Sequence, residues 1–227
     1  MTTPLCKELV PYFSINEHIK NKQIAEQDAL REAKLIQLFR SLIIIDNPIA
    51  EAFQAEAIVS HALDDKPIIA SYGAGPCVII CGYEPDQKVG FIAHFSHFGE
   101  VSPGTQVITT VVKRFLKHSL GNFIVDLKGG ITSHPISAKI FDAIKIWTKT
   151  SKDISLQIRS SDPLESANDA SRSIALDTRN GMIKDYDPLR DNPKNYRRLT
   201  TEDIHWARRS FDVLPQIKLV HPGTKKL

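Results

Sequence analysis

Two apolar runs on either side of a short polar turn constrain this chain most. Cys77-Val-Ile-Ile-Cys-Gly-Tyr83 and Val89-Gly-Phe-Ile-Ala-His-Phe95 flank Glu84-Pro-Asp-Gln-Lys88. Both runs are rich in β-branched and aromatic residues, too short for a typical helix, and bounded by turn residues. They predict two buried strands joined as a hairpin. Asp64-Asp65-Lys66-Pro67 marks a turn before them, Ile68 to Ser71 reads as a short buried strand, and Gly73-Ala74-Gly75-Pro76 as a tight loop.

The pattern changes on both sides of this block. Gln23 to Leu42 has amphipathic helical spacing, and Asp46-Asn47-Pro48 supplies a capping side chain and a proline suited to a first helical turn. A short second helix over Pro48 to Ala55 is expected. Ala57 to Leu63 fits helix or strand equally. Downstream, helices are expected over Thr105 to Leu120 and Pro135 to Lys149, with strands over Asn122 to Leu127 and Ile154 to Ile158. Arg172 to Asp177 and Met182 to Tyr186 flank an Asn180-Gly181 pair, which predicts a hairpin with a primed turn. Beyond Pro188 the chain is polar and basic, with one more helix expected over Thr201 to Val213. The expected organisation is a helical extension over 1–56, a mixed α/β (α+β) domain over 57–187, and a basic extension over 188–227.

Composition narrows the function classes. Hydrophobic residues make up 42% and charged residues 24%, which suits a globular core rather than disorder. A net charge of +3 demands neither a nucleic-acid nor a membrane partner. The longest apolar runs fall far short of the roughly 20 residues that span a bilayer, so no membrane insertion is expected. Met1 to Ile15 lacks the succession of a signal peptide, which points to a cytoplasmic protein and leaves signal-less export open. Three cysteines, Cys6, Cys77 and Cys81, make neither a disulfide framework nor a zinc-finger spacing, so no metal is expected.

The chemistry-bearing candidates cluster in the strand block. A cysteine attacks as thiolate, and only a few per cent is ionised at neutral pH without help from a neighbouring base. Cys77 follows a loop with two glycines, Gly73 and Gly75, where little bulk shields it. Pairing of the two apolar runs brings His94, near the end of the second, beside Cys77, at the start of the first. Ser71 closes the preceding strand and is placed to hold the imidazole. Cys81, inside the apolar run, reads as core, and His97 as lying past the strand end.

Ser71-Tyr-Gly-Ala-Gly-Pro-Cys77-Val-Ile-Ile-Cys-Gly-Tyr-Glu-Pro-Asp, continuing to Gly90-Phe-Ile-Ala-His94-Phe, resembles the signature of the chemoreceptor glutamine deamidase family, CheD. The shared features are a hydroxyl residue, a Gly-x-Gly loop, the nucleophilic cysteine, an apolar strand and Gly-x-x-Ala-His. The steps from Ser71 to Cys77 and from Cys77 to His94 match without gaps. Ile124 to Gly130, Ile136 to Trp147 and the Arg172-Ser hairpin extend a weaker likeness over roughly 57–187. Here Ser71 stands for the family's usual threonine and Pro76 for its usual serine, which marks a divergent member.

The resemblance implies a layered sandwich of mixed or antiparallel sheet flanked by helices. It implies a Cys77–His94–Ser71 site with Gly73 and Gly75 in its loop, no cofactor, and hydrolysis of an exposed glutamine on a chemoreceptor or another protein. Two rival expectations stand beside it. One is an inactive docking module using the basic residues Arg190, Lys194, Arg197, Arg198, Arg208 and Arg209. The other is a different cysteine amidohydrolase or transamidase.

Overall fold

The computed structural model describes residues 48–116, 120–193 and 217–220. These residues form an α+β sandwich with ten strands in two mixed sheets. The first sheet has the order β1-β3-β8-β9: β1 (Ile49–Ala52), β3 (Ile68–Ala74), β8 (Arg172–Asp177) and β9 (Met182–Lys184). The second is β10-β2-β5-β4-β6-β7. It consists of β10 (Lys218–Val220), β2 (Glu56–His61), β5 (Val89–Phe95), β4 (Val78–Glu84), β6 (Gly121–Ile131) and β7 (Ile154–Leu164).

The sheets pack face to face, and helices α1 (Val101–Val112) and α2 (Pro135–Thr150) cover the far side of the second. Alternation along the central hairpin produces these layers. Val78, Ile80, Phe91, Ala93 and Phe95 point to the helices, where they meet Ile108, Val112, Ile140 and Ile144. Ile79, Cys81 and Ile92 point the other way, against Ile69, Ile174 and Leu176 of the first sheet. The outer face of that sheet is closed by Ile49, Ala70, Ala175 and Tyr186, with Ile68 and Tyr72 packed on them.

The central hairpin forms over Val78–Glu84 and Val89–Phe95, but Cys77 lies just before its first strand and His94 is opposite Ile79 rather than Cys77. Glu84 pairs Val89, and the Glu84 carboxylate accepts from the Gln87 N–H at 2.6 Å inside the turn. The segment 57–63, ambiguous by periodicity, is strand β2 as far as His61, followed by a turn. Helix α2 buries Ile140 and Ile144 on the expected face, starting from a proline in its first turn.

Four local expectations are corrected. Pro48 to Ala55 is not a helix: Ile49–Ala52 is a strand pairing β3 in parallel. Ala50 and Ala52 face the second sheet, while Ile49 faces out. Four residues, Ile-Ala-Glu-Ala, carry too little periodicity to separate the two conformations, and pairing with a distant strand decides. The first helix begins at Val101 and ends at Val112, not Leu120; loose turns after it let Leu116 fold into the core. The strand from Ile154 runs on to Leu164, carrying Pro163 at a sheet edge, where a missing N–H is tolerated. The Asp177–Met182 hairpin has a four-residue loop in which Gly181 alone has positive φ, so it is not the two-residue primed turn.

Strand pairing reaches beyond 57–187 on both sides, through β1 and β10. The helices expected over Gln23 to Leu42 and Thr201 to Val213 lie outside the described residues.

Candidate functional site

Ser71 is the last residue of β3 in regular register, opposite Ala52 on β1 and Ile174 on β8. The pairing then slips by one before Ala74. Gly73 sits in this bulge with φ +76, a conformation that other L residues rarely take. The bulge turns the chain away from the sheet and into the loop that delivers Cys77. On β5, His94 is opposite Ile79 of β4 and Glu56 of β2. Cys77 belongs to the same buried inter-sheet cluster as Ile79, Cys81 and Ile92, the layer that also holds the Ser71–His94 hydrogen bond.

The structure brings Ser71 and His94 into direct contact, with Ser71 Oγ 3.0 Å from His94 Nδ1. Ser71 Oγ also lies 2.7 Å from the Ala52 carbonyl oxygen, to which it donates. A hydroxyl has one proton. Because Ser71 gives it to Ala52, the hydroxyl accepts from His94, and Nδ1 carries the hydrogen. The other nitrogen, Nε2, is then the lone-pair acceptor. It is buried without a hydrogen-bond partner among the described residues. Buried polar atoms are nearly always satisfied, and exceptions concentrate where a role requires them.

The cysteine loop is clamped from below. The Gly130 N–H reaches the carbonyls of Gly75 at 2.8 Å and Cys77 at 2.7 Å. Ser137 Oγ donates to the Pro76 carbonyl at 2.7 Å and accepts from the Ile131 N–H at 3.0 Å. Gly129 has φ +78, and a Cβ there would lie 2.8 Å from the Cys77 carbonyl oxygen. Only a bare backbone fits so close. Gly73 and Gly75 differ: a Cβ at either would meet nothing within 4 Å, so the outer side of the loop is open.

Burial controls the charges. Cys77 is 6% exposed and His94 1%. Desolvation, with a smaller contribution from the Glu100 carboxylate, pushes the Cys77 thiol up to about 12; its own N–H, close to the sulfur, acts in the opposite direction. Desolvation lowers His94 to about 4. At neutral pH the pair is therefore S–H and neutral imidazole, not an ion pair. Cys81 is fully buried, and its thiol is raised further still, which suits a core position.

Five of these contributors were not singled out as such in the sequence. Gly129 and Gly130 lie beyond the strand expected to end at Leu127, which in fact runs to Ile131, and Ser137 carried no signal beyond its place in a helix start. Ala52 contributes a carbonyl, which no side-chain pattern reveals. Glu100 is fully buried at the end of a short 3-10 turn that the sequence did not single out. His97 lies past the strand end as expected, where its Nδ1 accepts from the Gly99 N–H at 3.2 Å.

Of the basic residues that motivate docking, Arg190 is ion-paired with Asp191 at 2.8 Å, and the others lie outside the described residues. A groove of ≈ 770 Å³ lies on the helical layer, lined by Thr105, Thr109, Ile146 and Trp147, away from the inter-sheet thiol. Among the described residues, no three His, Cys, Asp or Glu side chains are grouped to hold a metal, and no helix is long and apolar enough to cross a membrane. No protein-family model matches the chain, and no curated protein matches it.

Proposed function

We propose that this chain is a cysteine-dependent protein deamidase, acting on an exposed glutamine side chain of another protein. The observation that carries the reading is the Ala52–Ser71–His94 relay. It leaves Nε2 of His94 as a base with no partner in the layer that holds the Cys77 thiol. The residue order and spacing shared with the CheD family supply the substrate class, and a chemoreceptor is one candidate partner.

Because both groups rest neutral, the nucleophile forms within the bound complex. His94 Nε2 takes the thiol proton as the sulfur attacks the amide carbon. The Cys77 N–H, beside the sulfur, is placed to donate to the developing oxyanion. The imidazolium then protonates the amide nitrogen, and ammonia leaves as the C–N bond breaks. Water, giving its proton to the same Nε2, attacks the thioester. The C–S bond breaks, the proton returns to sulfur, and the products are a glutamate side chain and free Cys77. Ser71 holds the imidazole in the useful tautomer throughout. The reaction as written uses water alone, without metal or organic cofactor, and a reducing, cytoplasmic setting suits its free thiol.

The test is ammonia release from candidate proteins, read together with the mass gain of amide-to-carboxylate conversion at a glutamine. The native chain is expected to produce both, and Cys77→Ala neither. Equal release by the two proteins would sink the proposal.

A further inference from the structure

Three successive carbonyls of the cysteine loop are held by one short stretch of chain. The Gly130 N–H takes those of Gly75 and Cys77, and Ser137 Oγ donates to that of Pro76 at 2.7 Å. Ser137 is fully buried in the first turn of α2, 61 residues from Pro76. Its oxygen accepts from the Ile131 N–H at 3.0 Å, so the single hydroxyl proton is committed to Pro76. The peptide joining Pro76 to Cys77 is trans. In a planar trans peptide the carbonyl and the N–H point in opposite directions. Ser137 draws the Pro76 carbonyl toward α2, and the Cys77 N–H therefore faces away from α2.

Among the described residues, that N–H donates to no oxygen. Buried backbone N–H groups are nearly always paired, and Cys77 is only 6% exposed. Pro76 has no N–H of its own, so the peptide before the sulfur offers a donor at Cys77 alone. A free donor of fixed direction next to a nucleophile is what a developing oxyanion requires. We infer that Ser137 is a positioning residue: by holding the Pro76 carbonyl, it aims the Cys77 N–H at the oxyanion formed when the sulfur attacks a carbonyl carbon. The inference rests on the proposed thiol site and deepens it. Ser137 is bonded to backbone groups and acts through one rigid peptide plane. Rotation of that plane, which its hydroxyl opposes, swings the N–H off target and leaves the thiol in place.

Two small probes separate this role from simple support of the loop. With p-nitrophenyl acetate the sulfur attacks the ester carbon through a tetrahedral oxyanion. The C–S bond forms, the C–O bond breaks, p-nitrophenolate leaves and the thiol proton passes to His94 Nε2. With iodoacetamide the sulfur displaces iodide from a saturated carbon, and no oxyanion forms. Both rates are measured on the full chain. Acylation is read as p-nitrophenolate release above that of Cys77→Ala, and alkylation by mass spectrometry of the Cys77 peptide. Ser137→Ala removes the donor, Ser137→Cys keeps the shape with a weaker donor, and Ser137→Thr keeps the hydroxyl. The ratio of acylation to alkylation is expected to fall about 10-fold or more in Ser137→Ala, part of the about 10²–10³-fold that loss of a whole oxyanion donor costs. Ser137→Cys should lie between, and Ser137→Thr near the native ratio, so any folded variant that weakens the donor decides the matter. A ratio that stays constant while both rates move together marks a structural role and overturns the inference. So does an unchanged pair of rates, or a native Cys77 that is alkylated and never acylated. Neither probe is a protein amide, so a chain that releases no ammonia yet shows the falling ratio loses the deamidase reading and keeps this one. Cys77-dependent ammonia release with a constant ratio does the reverse.

Discussion

Strand β5 has two faces, and they are built to different rules. Toward the helices it presents Phe91, Ala93 and Phe95, all fully buried among aliphatic and aromatic neighbours, with Phe91 against Phe123 and Trp147 at 5.5 and 5.8 Å between ring centroids. Toward the first sheet it presents Ile92 and then His94, whose ring is hydrogen-bonded on one side and unpartnered among the described residues on the other. Both faces are equally dry. The helical face spends its burial on stability, because apolar area removed from water is favourable without further conditions. The inter-sheet face holds a polar group at a cost in desolvation, which the proposed function would explain.

Four experiments break or sharpen this contrast. The largest effect is expected for His94→Ala, which should reduce ammonia release by about 10⁴-fold or more, since nucleophile and base act as a unit. Its stability by urea unfolding should change far less than its activity. Next, Phe91→Ala should cost about 3–5 kcal/mol in the same unfolding measurement, from lost burial and the cavity left behind. If His94→Ala destabilises as much as Phe91→Ala, the two faces are not different in kind.

The third concerns pH. The folded-state pKa of His94 is lowered from 6.5 to about 4, so the unfolded chain takes up a proton that the native one refuses. Stability from this group is fully present above pH 6.5 and is lost as pH falls toward 4, by about 3 kcal/mol in all. Cys77 acts oppositely: its pKa is raised from 9.0 to about 12, so stability present below 9 is lost as pH rises toward 12. Unfolding midpoints across pH should show the acid loss in the native protein and not in His94→Ala. An unaltered acid limb in the variant would show that another group carries it. The smallest effect is expected for Ser71→Ala, at about 1–2 kcal/mol, because it strands both the Ala52 carbonyl and the Nδ1 hydrogen. Activity should fall about 10–100-fold as the tautomer is released, and a variant with native activity would remove the relay from the mechanism.

The residues differ in how openly the chain announces them. Ser71 and His94 were legible as partners because each sits near the end of a short apolar run, whereas the hairpin register sets Ile79, not Cys77, opposite His94. The hairpin turn and α2 were legible for the same local reasons, while Gly73, read as part of a tight loop, lies instead in a bulge of β3. The contributions of Ala52, Gly130 and Ser137 were not, since they act through backbone groups or through contacts spanning many residues. Ala52 is the sharpest case. It lies in a segment whose capping and proline signals point to a helix, yet as a strand it supplies the carbonyl that sets the histidine tautomer.

Residue type, order and spacing by themselves determined the central hairpin that carries His94 and the strand that carries Ser71, because strand alternation and turn chemistry are local properties of the chain. The tertiary structure alone decided which nitrogen of His94 carries the hydrogen, and that burial favours the uncharged thiol and imidazole. Those properties depend on a partner strand far away in sequence and on how completely the two sheets exclude water, and neither is encoded in any single segment.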